Sequence, residues 1–233
     1  MVLPRTEPLG PAPEEHREPP PAPAGAQRFT APPFCTALIA TCVVFFGAPY
    51  LGIAPDFFRV ENWALYGPAV QAGEWWRVLT TVLVHAGALH ILFNMLVVVN
   101  LGFAVERLLG TPRMVAVSLV SALGSASLVL AFSFHAPTVG ASGMILGWAG
   151  VLLPVVNRQG RRNLAWLLVQ VAVISLIPGV SWQGHLGGVL AGLACGVLLR
   201  LNPRRFNLLW PALAVALALC AWWLARVGGL AHS

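Results

Sequence analysis

Seven apolar runs alternate with short polar breaks along the chain. They cover about Phe34 to Ile53, Leu79 to Val105, Met114 to Phe134, Gly140 to Val156, Leu164 to Ile177, Trp182 to Leu201, and Phe206 to Leu224. About 20 apolar residues cross the hydrocarbon core of a bilayer, so these runs predict membrane-spanning helices. The fourth and fifth are short for that task. The expected fold class is all-α, a polytopic transmembrane helical bundle. Residues 1–33 are dense in proline with mixed charge, and read as a disordered tail.

Between the first two runs lies a stretch, about residues 54–80, that is too polar to span. It mixes Phe57, Phe58, Trp63, Tyr66, Trp75 and Trp76 with Asp56, Arg59, Glu61, Glu74 and Arg77. Rings mixed with charges suit the headgroup layer.

Composition sharpens this picture. The chain is 58% hydrophobic and 9% charged, where soluble domains carry about 25% charged residues. All fourteen basic residues are arginine, placed singly or in small groups between apolar runs. That pattern sets topology and does not suggest a nucleic-acid surface. Arg107, Arg113, Arg158, Arg161, Arg162, Arg200, Arg204 and Arg205 fall on one side, which is expected to be cytoplasmic. The N-terminus then also lies in the cytoplasm. Cys35, Cys42, Cys195 and Cys220 sit inside apolar runs without C-x-x-C spacing, so neither a disulfide framework nor a zinc site is expected.

The second, fourth and sixth spans all run from outside to inside. His85, His90 and Asn94 lie early in the second, Ser142 early in the fourth and His185 early in the sixth. Polar groups inside a span are costly and mark functional sites by default. These fall at one depth, in the outer part of the bilayer.

Ser142 and His185 are each embedded in glycine. Gly184, Gly188, Gly192 and Gly196 recur every four residues, and Gly143, Gly147 and Gly150 make a second small face. Two such faces allow backbones to approach closely. Packed together, they would bring Ser142 within hydrogen-bond reach of His185, the distance at which a general base takes a hydroxyl proton. No carboxylate lies at that depth, so the arrangement reads as a Ser-His dyad, with His185 oriented by packing and by a neutral partner.

His90 and Asn94 are four apart and share a helix face. They could donate hydrogen bonds to an oxyanion together with the backbone N–H of Ser142, or simply pair with each other. His85 sits on another face, where pinning the external loop and taking part in chemistry both fit. A zinc site from His85, His90 and His185 lacks H-E-x-x-H spacing and a partner carboxylate, so no metal and no cofactor are expected.

At these residues the chain resembles the rhomboid family of intramembrane serine proteases. Trp76-Arg77 resembles the family's W-R. His85 with His90 and Asn94 resembles H-x-x-x-x-H-x-x-x-N, and Glu106 with Gly110 resembles E-x-x-x-G. Gly140-Ala141-Ser142-Gly143 resembles the G-x-S-G nucleophile motif, and His185-Leu186-Gly187-Gly188 the catalytic histidine with its glycines. Five matches in order over about residues 75–196 make a specific signal.

The resemblance implies a six-helix core over residues 34–202 and one additional C-terminal helix within 203–233. It implies Ser142 as nucleophile and His185 as base, with His90, Asn94 and the Ser142 backbone lining the oxyanion site. Trp76, Arg77, Glu106, Gly140, Gly143 and Gly188 would be structural. The implied partners are a single-span membrane protein substrate, cleaved near the outer face, and the lipid bilayer. The composition, rich in Ala, Gly, Pro and Arg and without lysine, suggests a GC-rich bacterial genome, so the expected location is a bacterial inner membrane. The alternative from another class is a non-proteolytic rhomboid-like protein that binds transmembrane clients. A transporter using the histidines as a proton path would need acidic relay residues deep in several spans, and there are none.

Overall fold

The computed structural model describes residues 31–231. The proline-rich segment up to residue 30 lies outside the described residues. Helices α1 (Pro33–Gly47), α2 (Gly67–Gln71), α3 (Arg77–Thr80), α4 (Ala88–Val97), α5 (Phe103–Leu109), α6 (Thr111–Phe132), α7 (Ser142–Leu152), α8 (Arg158–Ile174), α9 (Trp182–Leu201) and α10 (Pro203–Ala231) follow in order. A π turn, Val98–Gly102, joins α4 to α5. Among the described residues the only β-like pairing is a single bridge between Leu65 and Thr138. The protein is an all-α, multi-pass integral membrane bundle. Five helical stretches are long and apolar enough to cross a bilayer: Pro33–Leu51, Ala88–Leu109, Thr111–Phe132, Trp182–Leu201 and Pro203–Gly228.

The second span starts later than its apolar run suggests, at Ala88 instead of about Leu79. The intervening residues are tied to external segments. The Thr80 hydroxyl donates to the Trp63 carbonyl at 3.2 Å, and the Thr81 hydroxyl to the Thr138 carbonyl at 2.7 Å. The chain then runs extended at Val84 and Gly87 before α4 begins.

Helix α7 has only 11 residues. Pro154, two residues beyond its end, cannot continue the hydrogen-bond ladder. At 1.5 Å per residue it is about 16 Å long, roughly half the hydrocarbon thickness. It is nevertheless the centre of the bundle: every residue from Gly143 to Leu152 is buried. Trp148 is fully enclosed and its indole N–H donates to the Ser118 hydroxyl at 2.9 Å. The π turn meets this ring at Gly102, where a Cβ would stand 2.6 Å from it. An extra residue in the ladder there brings a glycine to the ring.

Helices α6 and α9 flank α7. The expected glycine faces pack against each other. A Cβ on Gly188 would overlap the Gly143 carbonyl, and one on Gly192 the Gly147 carbonyl. A third face, unread from the sequence, joins α6 to α9: a Cβ on Gly124 would stand 2.8 Å from the Gly187 carbonyl. Helix α10 lies on α6 and α9. It buries Ala214, Ala221 and Ala225, and the Ser127 hydroxyl reaches the Leu217 carbonyl at 3.3 Å.

Candidate active site

Ser142 is the first residue of α7, and His185 lies in the first turn of α9. Because the glycine faces let the two helices touch backbone to backbone, these starts are adjacent. The Ser142 Oγ stands 2.8 Å from His185 Nε2. Both side chains are half-buried. They open onto a cavity of about 370 Å³, lined also by His90, Ser125, Met144 and Ser181.

The other ring nitrogen has a partner that sequence reasoning left unnamed. His185 Nδ1 lies 2.7 Å from the Ser175 Oγ, and Ser175 donates to the Val171 carbonyl at 2.7 Å. Ser175 follows α8 directly and is buried. It is a neutral hydroxyl placed where a Ser-His-Asp triad holds a carboxylate.

The loop before Ser142 is built from outside the bundle. Leu65 and Thr138 exchange backbone hydrogen bonds of 2.9 and 2.8 Å, and the Gly140 N–H donates to the Thr81 carbonyl at 2.9 Å. Gly140 has φ +112°, a conformation that other residues rarely adopt. This pins the chain so that α7 starts at the serine. The first N–H groups of α7 have no partner inside the helix and point at the cavity end.

His90 lines the cavity; Asn94 does not. His90 Nδ1 receives a long contact from the Ala86 N–H, 3.4 Å, which leaves Nε2 on the Gly140 side. Asn94 is buried one turn along. Its amide donates to the His90 carbonyl at 2.8 Å, while its Oδ1 has no partner among the described residues. His85 is 2% exposed and its ring meets His90 edge-on at 5.1 Å between centroids. Neither His85 nitrogen makes a well-formed hydrogen bond among the described residues, although the Leu83 main chain approaches it.

Trp76, Arg77 and Glu106 stand apart from this cavity. The buried Arg77 guanidinium donates to the Glu61 and Ala64 carbonyls and pairs with Glu74. The Trp76 indole donates to the Asn62 carbonyl at 3.3 Å. Together they fold the external segment. Glu106 sits at the far end of the second span and accepts from the Phe34 and Cys35 N–H groups at 3.0 and 2.9 Å and from the Thr111 hydroxyl at 2.8 Å. Helix α1 begins at Pro32-Pro33 with no capping side chain of its own. The Glu106 carboxylate satisfies its first-turn donors from another helix. Among the described residues no group of three His, Cys, Asp or Glu side chains converges as a metal site.

The fold and site define a polytopic bundle with a serine and a histidine paired at the starts of two neighbouring helices. Residues 72–202 match the family model described as the Rhomboid domain. The chain is 32% identical over 131 residues to the Rhomboid protease GluP of Bacillus subtilis, across 53% of this chain and 26% of that protein. It is 30% identical over 165 residues to the mitochondrial RHOMBOID-like protein 6 of Arabidopsis thaliana, across 67% of this chain and 54% of the relative. Against YdcA of Bacillus subtilis it is 30% identical over 168 residues, 68% of this chain and 83% of the other. The chain thus spans about a quarter of the first of these relatives and about half of the second. It belongs to the rhomboid family.

Proposed function

We propose that the protein is an intramembrane serine endopeptidase that cleaves single-span membrane proteins near the outer face of the bilayer. The supporting observation is the 2.8 Å approach of Ser142 Oγ to His185 Nε2. His185 takes the Ser142 proton as the oxygen attacks a scissile carbonyl, and returns it to the leaving amine. A water from the cavity repeats the cycle on the acyl-enzyme. The developing oxyanion is met by the backbone N–H of Ser142 and by His90 Nε2–H. Asn94 joins them if its amide lets go of the His90 carbonyl. His85, Trp76, Arg77 and Glu106 support the scaffold, as do Gly140, Gly143 and Gly188. The protein resides in a bacterial inner membrane with its N-terminus in the cytoplasm, and needs no metal or cofactor.

The test is labelling of the detergent-purified protein with a fluorophosphonate probe. Wild type should label, and Ser142→Ala and His185→Ala should not. A folded wild type that resists both this probe and a chloroisocoumarin would favour a non-proteolytic protein that binds transmembrane clients.

A further inference from the structure

Three observations converge on Ser175. Its oxygen is 2.7 Å from His185 Nδ1. Its hydroxyl is 2.7 Å from the Val171 carbonyl, a group that can only accept. And along α8 and the turn after it, residues 158–180, only Leu164 and Ser175 are buried. A serine in that run has no packing duty that alanine could not perform.

A hydroxyl has one hydrogen. If it is given to Val171, as i−4 serines commonly do, the oxygen turns lone pairs towards Nδ1, which must then carry a hydrogen. A neutral imidazole has one N–H, so Nε2 is left bare, facing the Ser142 hydroxyl. We propose that Ser175 is the positioning residue of this site, fixing His185 in the Nδ1–H tautomer that can accept the Ser142 proton. This rests on the proteolytic reading above for its catalytic meaning. The chain of donors then runs Ser142 to His185 to Ser175 to the Val171 carbonyl, with no carboxylate in it. Nothing in the chain has to move when His185 becomes doubly protonated, because Nδ1–H keeps its acceptor.

The test compares wild type, Ser175→Ala and Ser175→Thr in detergent, with folding checked by circular dichroism. Two readouts are used. The first is the second-order rate of fluorophosphonate labelling, with kcat and KM once a substrate is known. The second is the ¹⁵N spectrum of histidine-labelled protein, with His185 assigned by its loss in His185→Ala. Ser175→Ala is expected to label about tenfold more slowly, with the loss in kcat and KM unchanged. Ser175→Thr, which keeps the hydroxyl, should recover most of that factor. In wild type Nδ1 should be the protonated nitrogen, and in Ser175→Ala both tautomers should be populated. Wild-type labelling by Ser175→Ala, or an unchanged Nδ1–H tautomer in it, overturns the proposal. A wild type that never labels removes the proteolytic reading instead; the tautomer spectrum needs no activity and still decides whether Ser175 holds His185.

Discussion

The imidazole of His90 lies directly against Gly140: a Cβ built there would stand 2.7 Å from both Cε1 and Nε2 of the ring. Gly140 also has φ +112°. One position therefore meets two separate demands, one on backbone angle and one on space. Gly140→Ala is expected to lower stability by about 1–3 kcal/mol from backbone strain. It should also push His90 out of the cavity, reducing the labelling rate by more than the loss of folded protein accounts for. A melting curve and a labelling time course on the same sample separate the two. A rate that tracks the folded fraction would detach His90 from the chemistry.

His90 itself should contribute through the charge that develops on the substrate oxygen. His90→Ala is expected to cost about 10²–10³ in kcat with little change in KM, the usual effect of removing one oxyanion donor. Asn94→Ala should cost less, because the Asn94 amide is already engaged with the His90 carbonyl at 2.8 Å. Equal losses in the two variants would show that Asn94 turns into the cavity during turnover.

Gly188 and Gly47 make a matched pair. A Cβ on Gly188 would overlap the Gly143 carbonyl, one residue from Ser142, whereas one on Gly47 meets nothing within 4 Å. Gly188→Ala must separate α7 from α9, with a cost of about 1–3 kcal/mol as an overpacked contact. Labelling should fall sharply as Ser142 and His185 part. Gly47→Ala should leave both melting and labelling near wild type. A normal labelling rate in Gly188→Ala would mean that the dyad does not depend on the close approach of these helices.

Glu106 offers a test of stability alone. Glu106→Gln leaves one carbonyl oxygen where two carboxylate oxygens now accept from Phe34, Cys35 and Thr111. The expected loss is about 1–3 kcal/mol, that of leaving a buried donor unsatisfied, and the melting temperature should drop by several degrees. The labelling rate per folded molecule should not change, since Glu106 lies at the other end of its span. A slower rate at full folding would tie α1 to the active site.

Much of the candidate site's geometry, the glycine contacts and the approach of Ser142 to His185, was legible because its signals are repetitive or costly. Glycines four apart announce a helix face on which nothing may project, and a serine or histidine inside an apolar run has few innocent explanations. The start of the second span was harder to read. Leu79, Val82, Leu83 and Val84 look like more of the same apolar run. There the chain makes only short turns, tied by a pair of threonines to residues far away in sequence, and it runs extended at Val84 and Gly87 before the span begins. Ser175 was hidden for a similar reason. It is a lone serine in Val171-Ala172-Val173-Ile174-Ser175-Leu176-Ile177, ten positions before His185. Only the tight reversal through Gly179, φ +88°, folds those ten positions into contact.

Helix α8 is the most lightly held of the long helices, with lipid-type exposure at Trp166, Val169, Val173 and Ile174. It is not one of the five stretches long and apolar enough to cross a bilayer, but in a membrane acyl chains would cover this apolar face, and they vary with the membrane in a way that protein side chains do not. A bilayer of different thickness would press α8 to a different tilt, and the residue directly after its C-terminal end, Ser175, carries the hydroxyl that faces His185. On the proteolytic reading, lipid composition is then expected to be an input to how well His185 is aimed, independent of how much substrate is present. Labelling rates in short-chain and long-chain phosphatidylcholine liposomes would measure this input. Equal rates in the two, with Ser175→Ala equally slow in both, would mean that the turn after α8 insulates the histidine from the lipid.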